Sequence, residues 1–323
     1  MKIAILLLAH KNKEQLEHLL KALRHEQVDI FVHVDKKCSF LPSDIEHDEN
    51  VHFVEKRYDV GLFEFSMVDA EIELIRTAKK HGNYHYFVLM SGQCYPLFKM
   101  DDIYAYLKSG YPEPYIEIVA PTSEHYVRRN FRHVYCLKRF KLRSYAFLKK
   151  HFSYKTFRCL RYIPGGFVFA VSRIKEWFCK SPKARLQRMG YPMYCGSQWW
   201  ILPDTVIDNV LIEYDNKRFC KAVYDTFSCD ETFFQTTIMK HAADNGIVLD
   251  DNGNFMNRRW FFIFDGGHPI ILKKDHYQQI MSSGMLFARK FEMEADDVLD
   301  MIDRGVRDQN IFEVVGDTAK NKL

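Results

Sequence analysis

The chain has 323 residues, of which 47% are hydrophobic and 15% aromatic, so it can form a large core and is not an intrinsically disordered protein. Its 46 basic and 42 acidic residues give a formal net charge of +4, too balanced to indicate a nucleic-acid-binding protein. The eight cysteines include no C-x-x-C pair. This excludes a zinc-finger type of metal site and is typical of reduced thiols in a cytoplasm.

The first 120 residues alternate between predicted strands and helices. The run from residue 3 to 8 is apolar throughout, typical of a strand buried on both faces, and Asn12 with Gln15 has the spacing of a helix cap and capping box. Alternation at these lengths indicates an α/β protein with a mostly parallel sheet flanked by helices. The further elements predicted here are strands at 30–34, 86–90 and 115–120 and helices at 12–25, 66–81 and 101–107.

The remainder is more irregular, and its C-terminal part is rich in predicted helix. No low-complexity linker interrupts it, so we expect a single domain over residues 1–323. No apolar stretch approaches the roughly 20 residues that span a bilayer. The elements predicted here are strands at 165–172, 196–202 and 258–264, helices at 205–216 and 231–245, and a helix-rich tail at 273–304.

Ligands of a parallel sheet bind beyond the carboxyl ends of its strands. Residues 9–11, 34–36 and 91–95 follow predicted strands and should share one edge. None of these loops contains the glycine pattern of a dinucleotide site or a P-loop. The sequence therefore does not favour a dehydrogenase or an ATPase.

One candidate base lies in the segment 228–234. Ser228 and Glu231 fit the S-x-x-E pattern of a helix capping box, whereas Glu231 could also accept a proton in a transfer reaction. These interpretations compete, because a glutamate folded back onto the helix cap is not available as a base.

Cations and tryptophans supply two further candidates. The sequence has no Asp-x-Asp motif for a divalent cation, so arginines and lysines would have to bind any diphosphate. They could equally be surface cations. Trp199 and Trp200 suit a sugar-stacking platform or an aromatic core pair. The cations in question are Arg258, Arg259, Arg289 and Lys290.

The segment 128–150 alternates basic with aromatic residues. It is either a solvated helical face or a surface for an anionic partner, such as a membrane. A nucleic-acid-binding module built on this segment is a weaker alternative, since it leaves the other motifs unexplained.

Six segments together resemble glycosyltransferase family 14, which comprises the core-2/I-branching β-1,6-N-acetylglucosaminyltransferases and the peptide O-xylosyltransferases, and in particular its shorter bacterial members. The segments occur in family order over nearly the whole chain. They are Ala9-His10-Lys11-Asn12, His33-Val34-Asp35-Lys36-Lys37, the run from Leu89 to Leu97, Gly196-Ser197-Gln198-Trp199-Trp200, the run from Asp230 to Thr236, and Phe287-Ala288-Arg289-Lys290-Phe291.

The resemblance implies a GT-A-like, Rossmann-type fold, with a nucleotide-binding half at 1–120 and an acceptor-binding and catalytic half at 121–323. It implies an inverting glycosyltransferase without a metal cofactor, in which Glu231 is the base. It also implies that Lys290 binds the diphosphate of a UDP-sugar together with Arg259, or Arg258 as the alternative.

The resemblance also assigns residues to the two substrates. Those implied for the UDP-sugar are His10, Val34, Asp35, Ser91 and Gly92. Those implied for the acceptor are Glu117, Gly196, Ser197, Trp199 and Trp200.

Two departures from the family motifs leave the donor open between N-acetylglucosamine and xylose. Cys94 stands where the motif usually has Asp, and the segment 61–66 replaces a Trp-Gly-Gly-x-Ser pattern. The expected acceptor is a glycan or lipid-linked saccharide. We expect a cytoplasmic enzyme, with 128–150 facing the inner side of the membrane, and the alternative is a nucleotide-sugar-binding protein that has lost catalysis.

Overall fold

A computed structural model gives the structure of this protein. It describes residues 1–62, 64–120, 147, 150–151, 156, 182–224, 226, 228–265, 268–293, 298–306 and 310–320. The predicted strand at 165–172 and, apart from residues 147 and 150, the basic segment 128–150 lie outside the described residues.

The central sheet has five strands in the order β3-β2-β1-β4-β7. Strands β1 to β4 run parallel to one another, and β7 is antiparallel to β4. The prediction of a mostly parallel sheet flanked by helices is confirmed. The strands of this sheet are β1 (Ile3–Ala9), β2 (Val28–Val34), β3 (Val51–Phe53), β4 (Tyr86–Ser91) and β7 (Ile201–Pro203).

A second sheet has three strands in the order β5-β12-β9. Its middle strand, β12, is antiparallel to β5 and parallel to β9. Two further pairs, β6 with β8 and β10 with β11, are antiparallel. These strands are β5 (Cys94–Pro96), β6 (Glu117–Ile118), β8 (Phe255–Met256), β9 (Trp260–Phe261), β10 (Phe264–Asp265), β11 (His268–Pro269) and β12 (Phe287–Arg289).

The helices of the first half lie close to their predicted positions. No helix among the described residues is long and apolar enough to cross a membrane. The helices are α1 (Lys13–Ala22), α2 (Phe65–His81), α3 (Met100–Gly110), α4 (Pro182–Arg188), α5 (Asp204–Asp215), α6 (Lys217–Tyr224), α7 (Asp230–Lys240), α8 (Tyr277–Met281), α9 (Val298–Gly305) and α10 (Ile311–Lys320).

Four boundaries in the second half differ from the prediction. Residues 196–200 form a loop, and only 201–203 are a strand. The aromatic run 258–264 is divided between β9 and the start of β10, and the predicted helical tail contains β12. Helix α7 ends at Lys240 instead of continuing to residue 245.

The start of α1 also differs in one detail. Asn12 caps the helix by accepting a hydrogen bond from the Gln15 backbone N–H, as its position predicts. The buried Gln15 amide does not complete a capping box, because it donates to the carbonyl oxygens of Gly92 (2.9 Å) and Phe291 (3.1 Å). Gln15 thus ties the first helix to the segments that follow β4 and β12.

Candidate active site

Three strands of the central sheet end at one edge. Ala9 is paired with Val34, and Leu8 with Ser91, so the residues that follow these strands come together as predicted. His10 is exposed at this edge, whereas Asp35 and Ser91 are buried. The edge thus combines one accessible imidazole with polar groups held in the protein interior.

Both oxygens of the Asp35 carboxylate accept hydrogen bonds at the end of β2. One oxygen accepts the Lys37 backbone N–H at 2.8 Å, and the other accepts the Val60 N–H at 3.2 Å and the Lys37 ammonium at 3.1 Å. Arg57 donates to the carbonyls of Val34 and Asp35 at 2.7 and 2.8 Å. The β2 end is therefore held rigidly by its own neighbours.

The turn after β4 is tied to the segment after β12. The Gln93 backbone N–H donates to Ser91 Oγ at 3.3 Å, and the Ser91 N–H lies 3.4 Å from Cys94 Sγ. The Gln93 side chain donates to the Phe291 carbonyl at 3.3 Å. No backbone or side chain crowds Gly92, where an added Cβ would meet only Ala9 Cα at 4.0 Å.

Arg289, at the end of β12, is the central cation of the site. It is paired with Cys94 across the second sheet, and its guanidinium lies 4.3 Å from the centroid of the Trp199 ring. Its Nε is buried without a hydrogen-bond partner among the described residues. Desolvation lowers the pKa of Arg289, and the nearby Cys94 and Glu231 act in the opposite direction.

Further positive charge lies beside Arg289. Desolvation lowers the pKa of Lys290. The positive charges of Lys11 and Arg289 lower it further. The pKa of His10 is lowered in the same way, by desolvation and then by Lys11 and Lys290. The charges of Lys11, Arg289 and Lys290 disfavour one another. The Glu292 carboxylate, which pairs with Lys11 and raises the pKa of Lys290, offsets part of this repulsion, and a bound anion would relieve the remainder.

Glu231 lies in the first turn of α7, within electrostatic reach of Arg289. The N-cap is Cys229, no side chain caps the helix, and Glu231 is its second residue. Ser228 Oγ is buried without a hydrogen-bond partner among the described residues. The capping-box interpretation of Ser228 and Glu231 is therefore wrong, and the Glu231 carboxylate is near enough to Arg289 to influence its pKa.

The loop 196–200 joins α7 to this cation. The Gly196 N–H donates to the Glu231 carbonyl at 3.0 Å, and the Gln235 amide donates to the Ser197 carbonyl at 2.7 Å. An added Cβ on Gly196 would lie 1.8 Å from the Glu117 carbonyl oxygen. The backbone of β6 therefore packs directly against the loop, which requires glycine at that position.

The two tryptophans of this loop have different surroundings. Trp200 is fully buried, and its ring centroid lies 5.0 Å from that of Phe234, so it belongs to the core. Trp199 is 5% exposed, and the Arg289 guanidinium lies over its ring. Of the two predicted sugar platforms, Trp199 contacts the site residue Arg289, whereas Trp200 packs against Phe234.

The side chains of Arg258 and Arg259 are engaged by groups other than Lys290, although the Arg259 carbonyl accepts the Leu286 and Phe287 N–H groups at the start of β12. The Arg258 guanidinium forms an ion pair with Glu117 at 2.6 Å, so two residues predicted for different substrates bind each other. Arg259 donates to the Tyr106 hydroxyl at 2.9 Å and lies over the Tyr115 ring at 4.7 Å. No contact in the described part of the chain joins Arg259 to Lys290.

Sequence reasoning missed Glu71, which lies on α2. Its side chain is fully buried, Oε1 accepts the Gln198 amide at 2.7 Å, and Oε2 has no hydrogen-bond partner among the described residues. Burial, and next the charge of Asp230, raise the pKa of Glu71 well above its usual range, and Glu231 adds to the shift. Nothing in the helical pattern of α2 marks this glutamate, because it simply occupies one of the buried positions.

Among the described residues, no three His, Cys, Asp or Glu side chains are placed to hold a metal ion. The site joins three kinds of group: a carboxylate at a helix start, a half-buried arginine against a tryptophan ring, and further cations at the sheet edge. Such a set of groups can accept a proton and bind a diphosphate.

In a comparison with known protein families, the family model described as Core-2/I-Branching enzyme matches residues 3–269. No curated protein sequence matches the chain. The matched region contains Glu231 and the 196–200 loop but ends before Arg289 and Lys290, which the fold brings to the same site.

Replacing Gly196 with alanine should destabilise the protein by about 1–3 kcal/mol, because the new methyl group would overlap the Glu117 carbonyl. Urea denaturation of wild type and variant measures the difference. Gly92→Ala is the matched control, since its Cβ has room, and we expect a much smaller change in its free energy of unfolding. Equal stability of the two variants would contradict the close packing of the loop against β6.

Proposed function

The chain belongs to the core-2/I-branching enzyme family and is a glycosyltransferase of that type, and we propose that it transfers a sugar from a UDP-sugar to a hydroxyl of a glycan acceptor with inversion and without a metal ion. The observation that carries this proposal is the position of Glu231 beside Arg289, at the sheet edge that also holds Lys290. A proton acceptor and a set of diphosphate-binding cations are the two chemical needs of such a transfer.

Glu231 is the proposed base. As the acceptor hydroxyl attacks C1 of the donor sugar, its proton passes to the Glu231 carboxylate and a new C1–O bond forms. The bond from C1 to the diphosphate breaks at the same time, and its electron pair leaves with UDP. Attack from the face opposite the leaving group converts an α-linked donor into a β-linked product.

Lys290 and Arg289 are the proposed partners of the departing diphosphate. The lowered pKa of Lys290 reflects desolvation and neighbouring positive charge, both of which the oxygens of a diphosphate would offset. The ion pair and the tyrosine contacts that already engage Arg258 and Arg259 favour Arg289 as the arginine that assists Lys290. Arg259 remains the second candidate for this role.

The strand ends are proposed to bind the nucleotide and the sugar. His10, Val34 and Asp35 would hold the uridine, and Ser91 with the uncrowded Gly92 would border the donor sugar. Gly196, Ser197 and Trp199 would face the acceptor, together with Glu117. The transferred sugar is N-acetylglucosamine or xylose, and UDP release from the two UDP-sugars distinguishes them.

UDP release should identify the donor without knowledge of the acceptor. Purified protein is incubated with a panel of UDP-sugars, with and without EDTA, and slow hydrolysis to water is followed. We expect release from one donor, UDP-N-acetylglucosamine or UDP-xylose, at a rate that EDTA does not change. Loss of release with EDTA would overturn the metal-independent mechanism.

In the same UDP-release assay, the Glu231→Gln variant tests the proposed base. It should lower the rate by about 100- to 10,000-fold, the usual contribution of a general base, while the Kd for UDP from calorimetry stays the same. Glu26→Gln removes an exposed carboxylate that precedes β2, at the other end of the strand, and should leave both quantities unchanged. Full turnover in Glu231→Gln would remove the proposed base, and UDP binding without release from any donor would favour a binding protein that has lost catalysis.

A second prediction separates the two candidate phosphate-binding groups. Lys290→Met should weaken UDP binding by about 10- to 100-fold, the size expected for a charge-assisted hydrogen bond. Arg259→Met should change the Kd far less, because its guanidinium already binds Tyr106 and lies over Tyr115. Calorimetry with UDP measures both. An equal loss in the two variants would return Arg259 to the diphosphate.

A further inference from the structure

Glu71 has no role in the transfer steps above, yet it lies beside the residues that carry them. It occupies the inner face of α2, and its exposed fraction is 0%. A carboxyl in the interior must be neutralised or hydrogen-bonded, because an isolated buried charge is strongly unfavourable. The Gln198 amide satisfies one of its two oxygens, at 2.7 Å.

The bond from Glu71 to Gln198 reaches into the loop that carries the acceptor-side residues. That loop is already fixed to α7 by the Gly196 bond to the Glu231 carbonyl and by the Gln235 bond to the Ser197 carbonyl. Glu71 adds an attachment from a different helix. With bonds to α2 and α7, the loop is held on two sides.

The charges around Glu71 favour its protonated form. Asp230 and Glu231, both at the start of α7, raise its pKa, while the hydrogen bond from Gln198 acts in the opposite direction. A protonated Glu71 keeps the single hydrogen-bond acceptor that Gln198 uses. It also avoids a third negative charge next to Asp230 and Glu231.

We propose that Glu71 is a positioning residue for the transfer reaction: through its hydrogen bond to Gln198 it fixes the 196–200 loop against α7, so that Glu231 and Trp199 are held in their places. This inference rests on the proposed function. Glu71 acts through Gln198 and touches neither substrate. Small displacements of a base or of a substrate platform have large effects on rate, and so a loose loop should lower kcat more than it lowers binding of UDP.

The test compares two replacements of Glu71 in the full chain. Glu71→Gln keeps an acceptor oxygen for Gln198 and places an N–H group where the protonated carboxyl has its O–H. Glu71→Met has a similar length and offers no acceptor. We expect Glu71→Gln to keep kcat within about 3-fold of wild type and Glu71→Met to lower it by at least about 10-fold, with the Kd for UDP unchanged in both.

Three further variants guard against a loss of fold. Glu73→Met makes the same chemical change two residues along α2, outside this cluster, and should have wild-type kcat. Gln198→Met breaks the same bond from the loop side. The double variant Glu71→Met with Gln198→Met should be about as slow as the slower single variant, because both remove one interaction.

Wild-type kcat in a folded Glu71→Met or Gln198→Met protein would overturn the proposal, as would a Glu71→Gln protein as slow as Glu71→Met. Hydrogen exchange of the loop amides gives a readout that needs no activity. In Glu71→Met the Gly196 and Trp199 amides should exchange faster than in wild type, and in Glu71→Gln at the wild-type rate. Unchanged exchange in Glu71→Met would contradict the positioning role of Glu71 and leave the proposed function untouched. A wild-type chain that releases UDP from no donor would instead count against the proposed function.

Discussion

The position of Arg289 constrains the whole site. A guanidinium remains charged even where it is partly removed from water, so its surroundings must compensate the cost of desolvation. Here Arg289 is half-buried, the Trp199 ring lies against its guanidinium at 4.3 Å, and the Glu231 carboxylate is close enough to favour its charge. Arg289 is also paired with Cys94 of β5 in the second sheet. The second sheet, the 196–200 loop and α7 therefore have to meet at this one side chain.

Those elements bring charges of both signs together. Desolvation and the charges of Lys11 and Arg289 lower the pKa of Lys290, whereas Glu292, which pairs with Lys11, acts in the opposite direction. The carboxyl groups of Glu71 and Glu231 belong to α2 and α7 and influence each other. In the proposed reaction, Glu231 would meet the acceptor proton and the cations would meet the leaving group.

The 196–200 loop gives this arrangement its rigidity. Its backbone packs so closely on β6 that only glycine fits at Gly196, and its amides and carbonyls bind α7. Gln198 extends the attachments to α2. A strand at these residues would have continued the pairing of β7 and left fewer polar groups to bind both helices. The loop conformation thus joins Gln198 to α2 and Trp199 to Arg289, and holds both near the start of α7, where the proposed base Glu231 lies.

The sequence by itself determined the parallel sheet, since the apolar run of β1 and the spacing of α2 are local patterns that report on burial and periodicity. It also placed His10, Asp35 and Ser91 at one edge, because consecutive parallel strands end together. Only the tertiary structure decided which cations lie beside Glu231. In the sequence, Arg259 and Arg289 are equivalent candidates, but in the fold Arg259 binds Tyr106 and Arg289 lies over Trp199. The tertiary structure also decided the surroundings of Glu231, for which the sequence left a capping box and a general base as competing interpretations. It alone revealed Glu71, whose carboxyl is buried on α2 within electrostatic reach of Asp230 and Glu231 at the start of α7. A local sequence pattern reports the periodicity and burial of a single helix or strand. A site of this kind is formed by contacts between elements that are distant in the chain, which local patterns do not report.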